Sequence, residues 1–175
     1  SFNVLGIECF LPFVYAGHKF VGFIDRLDSF SDGEIRIVDY KTGKVSDKEM
    51  MVMGESGVDE VYAKSVFDSI FDPDAKDNPK IALQFFIYNL MLCNSEKGKA
   101  MAEGKKILNS VYSLSHLYDD AAREYCLTKE VFDYAGDKVR ATLDEIFDLQ
   151  GHPEFKRTEN TATCAYCDFR MICGR

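Results

Sequence analysis

Asp25, Asp39 and Lys41 stand in one charged, strand-like stretch, "GFIDRLDSFSDGEIRIVDYKTG", residues 22–43. Two carboxylates and an ammonium gathered at one place have a specific chemical use. Hard oxygen ligands suit Mg²⁺ or Mn²⁺. A lysine beside the metal-bound water or an attacked phosphate stabilises developing negative charge and helps orient or deprotonate the water. The ordinary alternative is a solvated hairpin, because most Asp and Lys side chains are exposed. A second cluster, Cys164, Cys167 and Cys173, has metal-ligand spacing near the C-terminus. With no secretory leader, a metal site reads better there than a disulfide framework. Zinc and a cubane iron–sulfur cluster each want four ligands, and this tail supplies three.

Whether the two aspartates can meet is a question of strand register. Residues 19–30 and 34–41 alternate and are rich in β-branched side chains, so both read as strands. "SDG" at 31–33 suits a three-residue hairpin loop with Gly33 in the left-handed position. That loop opposes Phe30 with Glu34, Arg26 with Val38 and Asp25 with Asp39. Opposed residues share a face, with β-carbons about 5 Å apart. Val21, Phe23, Asp25 and Leu27 then face Ile35, Ile37, Asp39 and Lys41 on the apolar side, while Asp28, Asp32 and Glu34 belong to the turn and a wet face. Two like charges on a buried face are costly unless a cation joins them. A two-residue Asp32-Gly33 turn would instead send Asp25 and Asp39 to opposite faces.

The remaining elements support that hairpin. Residues 1–16 read as a strand ending at an Ala16-Gly17-His18 turn, which makes a three-stranded antiparallel meander with the hairpin. Residues 46–70 read as helical or mixed, 71–80 as a polar linker, and 80–93 as a helix apolar nearly all round and therefore buried. Gln84 and Tyr88, four apart, share a face of that helix. Residues 107–118 read as a further strand. Thr128 is a candidate cap for a helix over 129–149, with Phe132, Ala135, Val139, Leu143, Ile146 and Phe147 recurring on one face and Gly151-His152-Pro153 ending it. The 175 residues are 46% hydrophobic and 29% charged, an ordinary folded composition. Residues 1–153 read as the core and 154–175 as a cysteine-bearing tail packed on it. The net charge of −8 argues against a large basic surface, though not against a site with a local positive groove. No apolar run reaches membrane length, and without a leader the expected location is cytoplasmic. The chain lacks an initiator Met and begins in a strand, which suggests a piece of a longer protein.

These residues resemble a known family. Asp25 followed by Asp39-Tyr40-Lys41 is similar to the Asp…(D/E)-x-K core of the PD-(D/E)XK nuclease superfamily, and "GFIDRLD…IRIVDYKTG" to its RecB-like branch. Gln84 and Tyr88 match that branch's Q-x3-Y motif. Cys164-x2-Cys167-x5-Cys173 resembles the C-terminal part of the iron–sulfur motif of AddB-type nuclease domains. The resemblance runs from about residue 20 to the C-terminus. It implies a restriction-endonuclease-like α/β fold, a mixed sheet begun by an antiparallel meander and flanked by helices. It implies a metal-dependent DNA exonuclease domain of a larger repair or recombination protein with a helicase region or partner subunit. Asp25 and Asp39 would be metal ligands, with the Asp39 and Tyr40 carbonyls as further candidates. Lys41 would be the electrostatic group, and Gln84 and Tyr88 would build the site or contact DNA. The cysteines would hold part of a 4Fe–4S cluster, or zinc, with a fourth ligand upstream. An additional upstream acidic residue or histidine would also be missing, impairing the fragment. The rival readings are a catalytically inactive DNA-end-binding or scaffolding module, and a zinc-stabilised interaction domain.

Overall fold

A proline and a pair of left-handed residues shape the N-terminal third. The structure is a computed structural model, and it describes residues 1–31, 33–50, 58–72, 75, 79–116, 123–148, 151, 159 and 161–174. The expected strand over 1–16 is divided into β1 (Phe2–Phe10) and β2 (Phe13–Tyr15). Pro12, which has no N–H to give a ladder, lies at the break. Ala16 (φ 48°) and Gly17 (φ 80°) turn the chain into β3 (His18–Phe20). Two positive φ values are what a two-residue hairpin needs to match strand twist. β2 and β3 form a small sheet of their own.

The main sheet holds β4 (Phe23–Phe30), β5 (Glu34–Lys41), β6 (Lys106–Ser113) and β7 (Arg123–Tyr125) beside β1, in the order β1-β4-β5-β6-β7. β1, β4 and β5 are antiparallel neighbours, β5 and β6 run parallel, and β7 returns antiparallel. This is the expected mixed sheet, a meander plus a further strand. The parallel step requires a crossover. It contains α1 (Glu60–Phe71), α2 (Lys80–Asn94) and α3 (Glu96–Ala102), and α4 (Lys129–Phe147) follows β7. The three-residue β7 and seven-residue α3 are absent from the sequence reading; elements this short leave little periodic signal.

α2 is the central packing element, with Ile81, Ala82, Phe85, Phe86, Tyr88, Asn89, Leu90, Met91 and Leu92 all buried. Phe86 meets Phe67 of α1 edge-on at 5.6 Å and Phe132 of α4 at 5.3 Å. Two short bonds from its side-chain amide satisfy Asn89 in this core. Asn89 donates to Asn109 Oδ1 at 2.7 Å and to the Phe85 carbonyl at 2.8 Å. Thr128 caps α4 by accepting from the Val131 N–H, as its residue type and position predict.

Gly33 adopts φ 83°, and the β4–β5 ladder runs Arg26↔Val38, Leu27↔Ile37, Asp28↔Arg36 and Ser29↔Ile35. This is the register of a three-residue loop; Asp32 itself lies outside the described residues. Two details differ from expectation. Val21 and Phe23 are 73% and 59% exposed, whereas Ile24 is fully buried beside Leu27. Alternation cannot bury residues three apart on one face, so the strand rotates between them. The rotation lies at Asp25, beside Glu8 of β1, which sits at φ 47° between the pairs Ile7↔Arg26 and Cys9↔Ile24. Asp28 is the other correction. It is fully buried rather than on a wet face, because Arg26 and Arg36 neutralise it there at 2.7 Å each.

Candidate active site

Asp39 lies near the C-terminal end of β5 under α2, and only 1% of it is exposed. Its Oδ1 accepts from Gln84 Nε2 at 2.8 Å and from Tyr88 OH at 3.3 Å. Gln84 commits its whole amide. The second N–H goes to Tyr88 OH at 2.7 Å, and Oε1 accepts from Lys41 Nζ at 2.7 Å. Lys41 Nζ is also 2.7 Å from Asp39 Oδ2. That contact is a close charge pair off ideal hydrogen-bond geometry, so Oδ2 is stabilised by the Lys41 ammonium but, among the described residues, has no well-directed donor. The helical spacing of Gln84 and Tyr88 thus lays both polar groups over one carboxylate, and the strand spacing of Asp39 and Lys41 puts the ammonium on the same face.

Asp25 enters from the neighbouring strand. The paired ladder runs as far as Arg26↔Val38. Beyond it, the Asp25 carboxylate accepts the Tyr40 backbone N–H at 3.0 Å. Its charge is felt at Asp39. Burial pushes the Asp39 carboxyl above the usual range; Lys41 opposes the shift, the Asp25 charge adds to it, and the Tyr88 hydrogen bond opposes it. Tyr88 is pushed up to about 12, first by burial, with its Gln84 bond opposing and both aspartates adding. It is therefore a neutral phenol and a donor to Asp39.

The site shows the deficit a cation would correct: a buried Asp39 carboxylate whose ionisation the Asp25 charge opposes, and, among the described residues, no well-directed donor to its Oδ2. Among the described residues no group of three or more His, Cys, Asp or Glu side chains is placed to hold a metal. A cation here would therefore be held by two carboxylates, completed by backbone carbonyls and water. That donor set fits Mg²⁺ or Mn²⁺, which keep several waters and take one or two carboxylates. Tyr40 contributes only backbone to this face. Its ring is 46% exposed on the opposite one, where its hydroxyl accepts from Arg26 at 3.1 Å.

The cysteine tail is placed differently from expectation. Cys164 and Cys173 are half-buried and Cys167 is exposed, on a short helical turn and the turns that follow it over 161–174. They do not converge into a ligand group, so as placed they do not fit an iron–sulfur cluster or zinc. Local turn hydrogen bonds, such as Cys167 N–H to the Cys164 carbonyl at 3.3 Å, set their spacing instead. Phe155, Thr158 and Asn160, which precede the cluster, lie outside the described residues.

Two features at the site escaped the sequence reading. Tyr125 of β7 is buried, its hydroxyl has no partner among the described residues, and it packs edge-on to Phe85 at 5.8 Å. Burial, and then the Asp39 charge, hold its phenol protonated far above the ordinary range. The second feature is the ionic group around Asp28 on the reverse face. Its signal was present: the hairpin register sets Asp28 directly opposite Arg36. The model of one protein family, described as the PD-(D/E)XK nuclease superfamily, matches residues 1–174. No curated protein matches the chain.

Proposed function

The chain belongs to the PD-(D/E)XK nuclease superfamily, and from that premise we propose a divalent-cation-dependent deoxyribonuclease that acts through Asp25, Asp39 and Lys41. The mixed sheet flanked by helices is the restriction-endonuclease-like α/β fold of that superfamily, whose members generally use divalent metals such as Mg²⁺. The observation that carries the assignment of residues is the unequal treatment of the two Asp39 oxygens. Oδ1 is fixed by Gln84 and Tyr88, and Oδ2 is left without a directed donor beside Lys41 and near the Asp25 charge.

In this reading Asp25 and Asp39 hold Mg²⁺ or Mn²⁺, with the Tyr40 carbonyl as a further candidate ligand. When bound, such a cation supplies charge neutralisation at the phosphate and a more acidic water. Lys41 faces the negative charge that develops on the phosphoryl oxygens. Gln84 accepts from the Lys41 ammonium while it contacts Asp39, and so orients it. Tyr88, kept protonated, fixes the Asp39 carboxylate plane. With a net charge of −8, the contact with DNA is local to this site. The finer assignments rest on motif resemblance: RecB-like attack from DNA ends, and a place beside a helicase in repair or recombination. The division into a core over 1–153 and a tail over 154–175 is likewise proposed.

The test is Mn²⁺-dependent degradation of end-labelled linear DNA and of covalently closed circular DNA by wild type and Lys41→Ala. The expected result is loss of the linear substrate with wild type, survival of the circle, and no cleavage by the variant. Cutting of the circle would replace the exonuclease reading by an endonuclease one. Binding of DNA ends with no cleavage under Mg²⁺ or Mn²⁺ would establish the rival reading, an inactive end-binding module.

A further inference from the structure

Asp25 and Arg26 are consecutive on β4, point to opposite faces, and both grip Tyr40. Asp25 accepts the Tyr40 backbone N–H at 3.0 Å on the site face. Arg26 NH1 donates to the Tyr40 hydroxyl at 3.1 Å on the reverse face. Arg26 is itself held by Asp28, with Nε and NH2 at 2.7 and 3.2 Å. Asp28 also accepts from Arg36 at 2.7 and 3.2 Å, and Arg36 reaches Glu124 of β7 at 2.9 Å. The result is a continuous strap of charge-assisted bonds, Glu124–Arg36–Asp28–Arg26–Tyr40, which crosses the back of the sheet from β7 to the strand end that carries Asp39 and Lys41. It holds two guanidinia and two carboxylates, so it is neutral on its own and takes no charge from the site. The Phe2 ring lies under both guanidinia, at 4.9 and 5.0 Å, and stiffens them further.

We propose that Arg26 and the Tyr40 hydroxyl are positioning residues: the strap holds Tyr40, and through its backbone N–H the Asp25 carboxylate, at the spacing a cation requires. This rests on the reading of Asp25 and Asp39 as cation ligands. The reason is geometric. Beyond the Arg26↔Val38 pair, the Asp25 side chain stands in for a ladder bond and ties Tyr40 to β4 on the site face. Partners that orient metal ligands commonly change metal affinity about 10- to 100-fold when removed.

Tyr40→Phe removes one hydroxyl and keeps the ring and the backbone N–H. The measurement is Mn²⁺ affinity by titration calorimetry on the intact chain without DNA, with the Mn²⁺ concentration for half-maximal cleavage and the melting temperature read alongside. The expected result is an affinity about tenfold weaker, an equal rise in the Mn²⁺ requirement, and a melting temperature little changed. Arg26→Lys should shift affinity in the same direction, because an ammonium cannot span Asp28 and Tyr40 together as a guanidinium does. Mn²⁺ affinity within twofold of wild type in both folded variants overturns the strap. Asp25→Ala separates the two readings. If the wild type binds no Mn²⁺, or Asp25→Ala binds as the wild type does, the cation site fails and the strap's role fails with it. If Asp25→Ala abolishes binding while Tyr40→Phe and Arg26→Lys leave it alone, only the strap fails.

Discussion

Replacing Gln84 by Met tests the site at its hinge. Methionine has nearly the length and helix propensity of glutamine and no amide. The substitution removes the 2.8 Å bond to Asp39, the 2.7 Å bond from Lys41 and the 2.7 Å bond to Tyr88. Two of these involve charged groups, which contribute roughly 1.5–3 kcal/mol each. Gln84 is only half-buried, so the lower figure applies, about 3 kcal/mol for the two together. Each 1.36 kcal/mol is tenfold in rate. If the bonds serve the transition state, kcat/KM falls by about two orders of magnitude. The folded state loses the same bonds, so the melting temperature should fall as well, but Lys41 keeps Asp39 at 2.7 Å and Tyr88 keeps its own bond to Asp39, which leaves the chain folded. The assay is steady-state cleavage of labelled DNA at fixed Mn²⁺, with melting temperature as the control. A folded Gln84→Met protein with kcat/KM within threefold of wild type would refute the claim that this amide sets the geometry of Asp39 and Lys41.

Further outcomes follow at the site and elsewhere in the fold. The Asp39 carboxyl is raised by burial, so the folded state holds its proton more tightly than the unfolded chain does. Its contribution to stability is therefore present at low pH and lost as pH climbs from the ordinary carboxylate value through the raised one. Melting in EDTA should show this decline and Asp39→Asn should not, whereas saturating Mn²⁺ at about 100 times its Kd should add roughly 2.7 kcal/mol at neutral pH; no Mn²⁺ effect on melting would contradict a cation on these carboxylates. Asn89→Leu leaves the Asn109 carbonyl oxygen without its 2.7 Å donor, at a cost of about 1–3 kcal/mol measured by urea unfolding. An unchanged midpoint would mean that the amide pair is not as described. Ala16→Asn places a residue that tolerates left-handed backbone at φ 48°. It should stabilise the chain by about 0.5–1 kcal/mol, and a lowered melting temperature would argue against the β2–β3 turn.

How much of this was readable in the sequence depends on how local the cause is. Gly33 is compatible with a three-residue loop and with a two-residue Asp32-Gly33 turn, and the observed register, Arg26 opposite Val38, is the three-residue one. The all-round apolarity of α2 and the four-residue spacing of Gln84 and Tyr88 are equally local. Pro12 was visible, but its effect, a separate β2–β3 hairpin, needed the positive φ of Ala16 to be known. The exposure of Phe23 and burial of Ile24 were not readable, because they follow from the backbone of Glu8 on another strand. Cys164, Cys167 and Cys173 have metal-like spacing, yet spacing along a chain does not oblige three thiols to converge. Asp28 was misplaced because an aspartate near a turn is ordinarily wet; only pairing from both Arg26 and Arg36 reverses that.

Asp28 and Asp39 make an internal comparison that bears on the site. Both are buried aspartates of adjacent strands, 0% and 1% exposed. Around Asp28 the fold does what buried carboxylates require: two guanidinia donate to its two oxygens through four contacts between 2.7 and 3.2 Å. Around Asp39 it does not. Two neutral donors share one oxygen, the other has an ammonium beside it but no directed bond, and a second carboxylate acts against it. The same sheet therefore satisfies a buried acid fully on one face and leaves one short on the other. Incomplete satisfaction is a cost the chain evidently avoids a few ångströms away. A group that supplies positive charge and open coordination at Asp39 removes that cost, and a divalent cation supplies both.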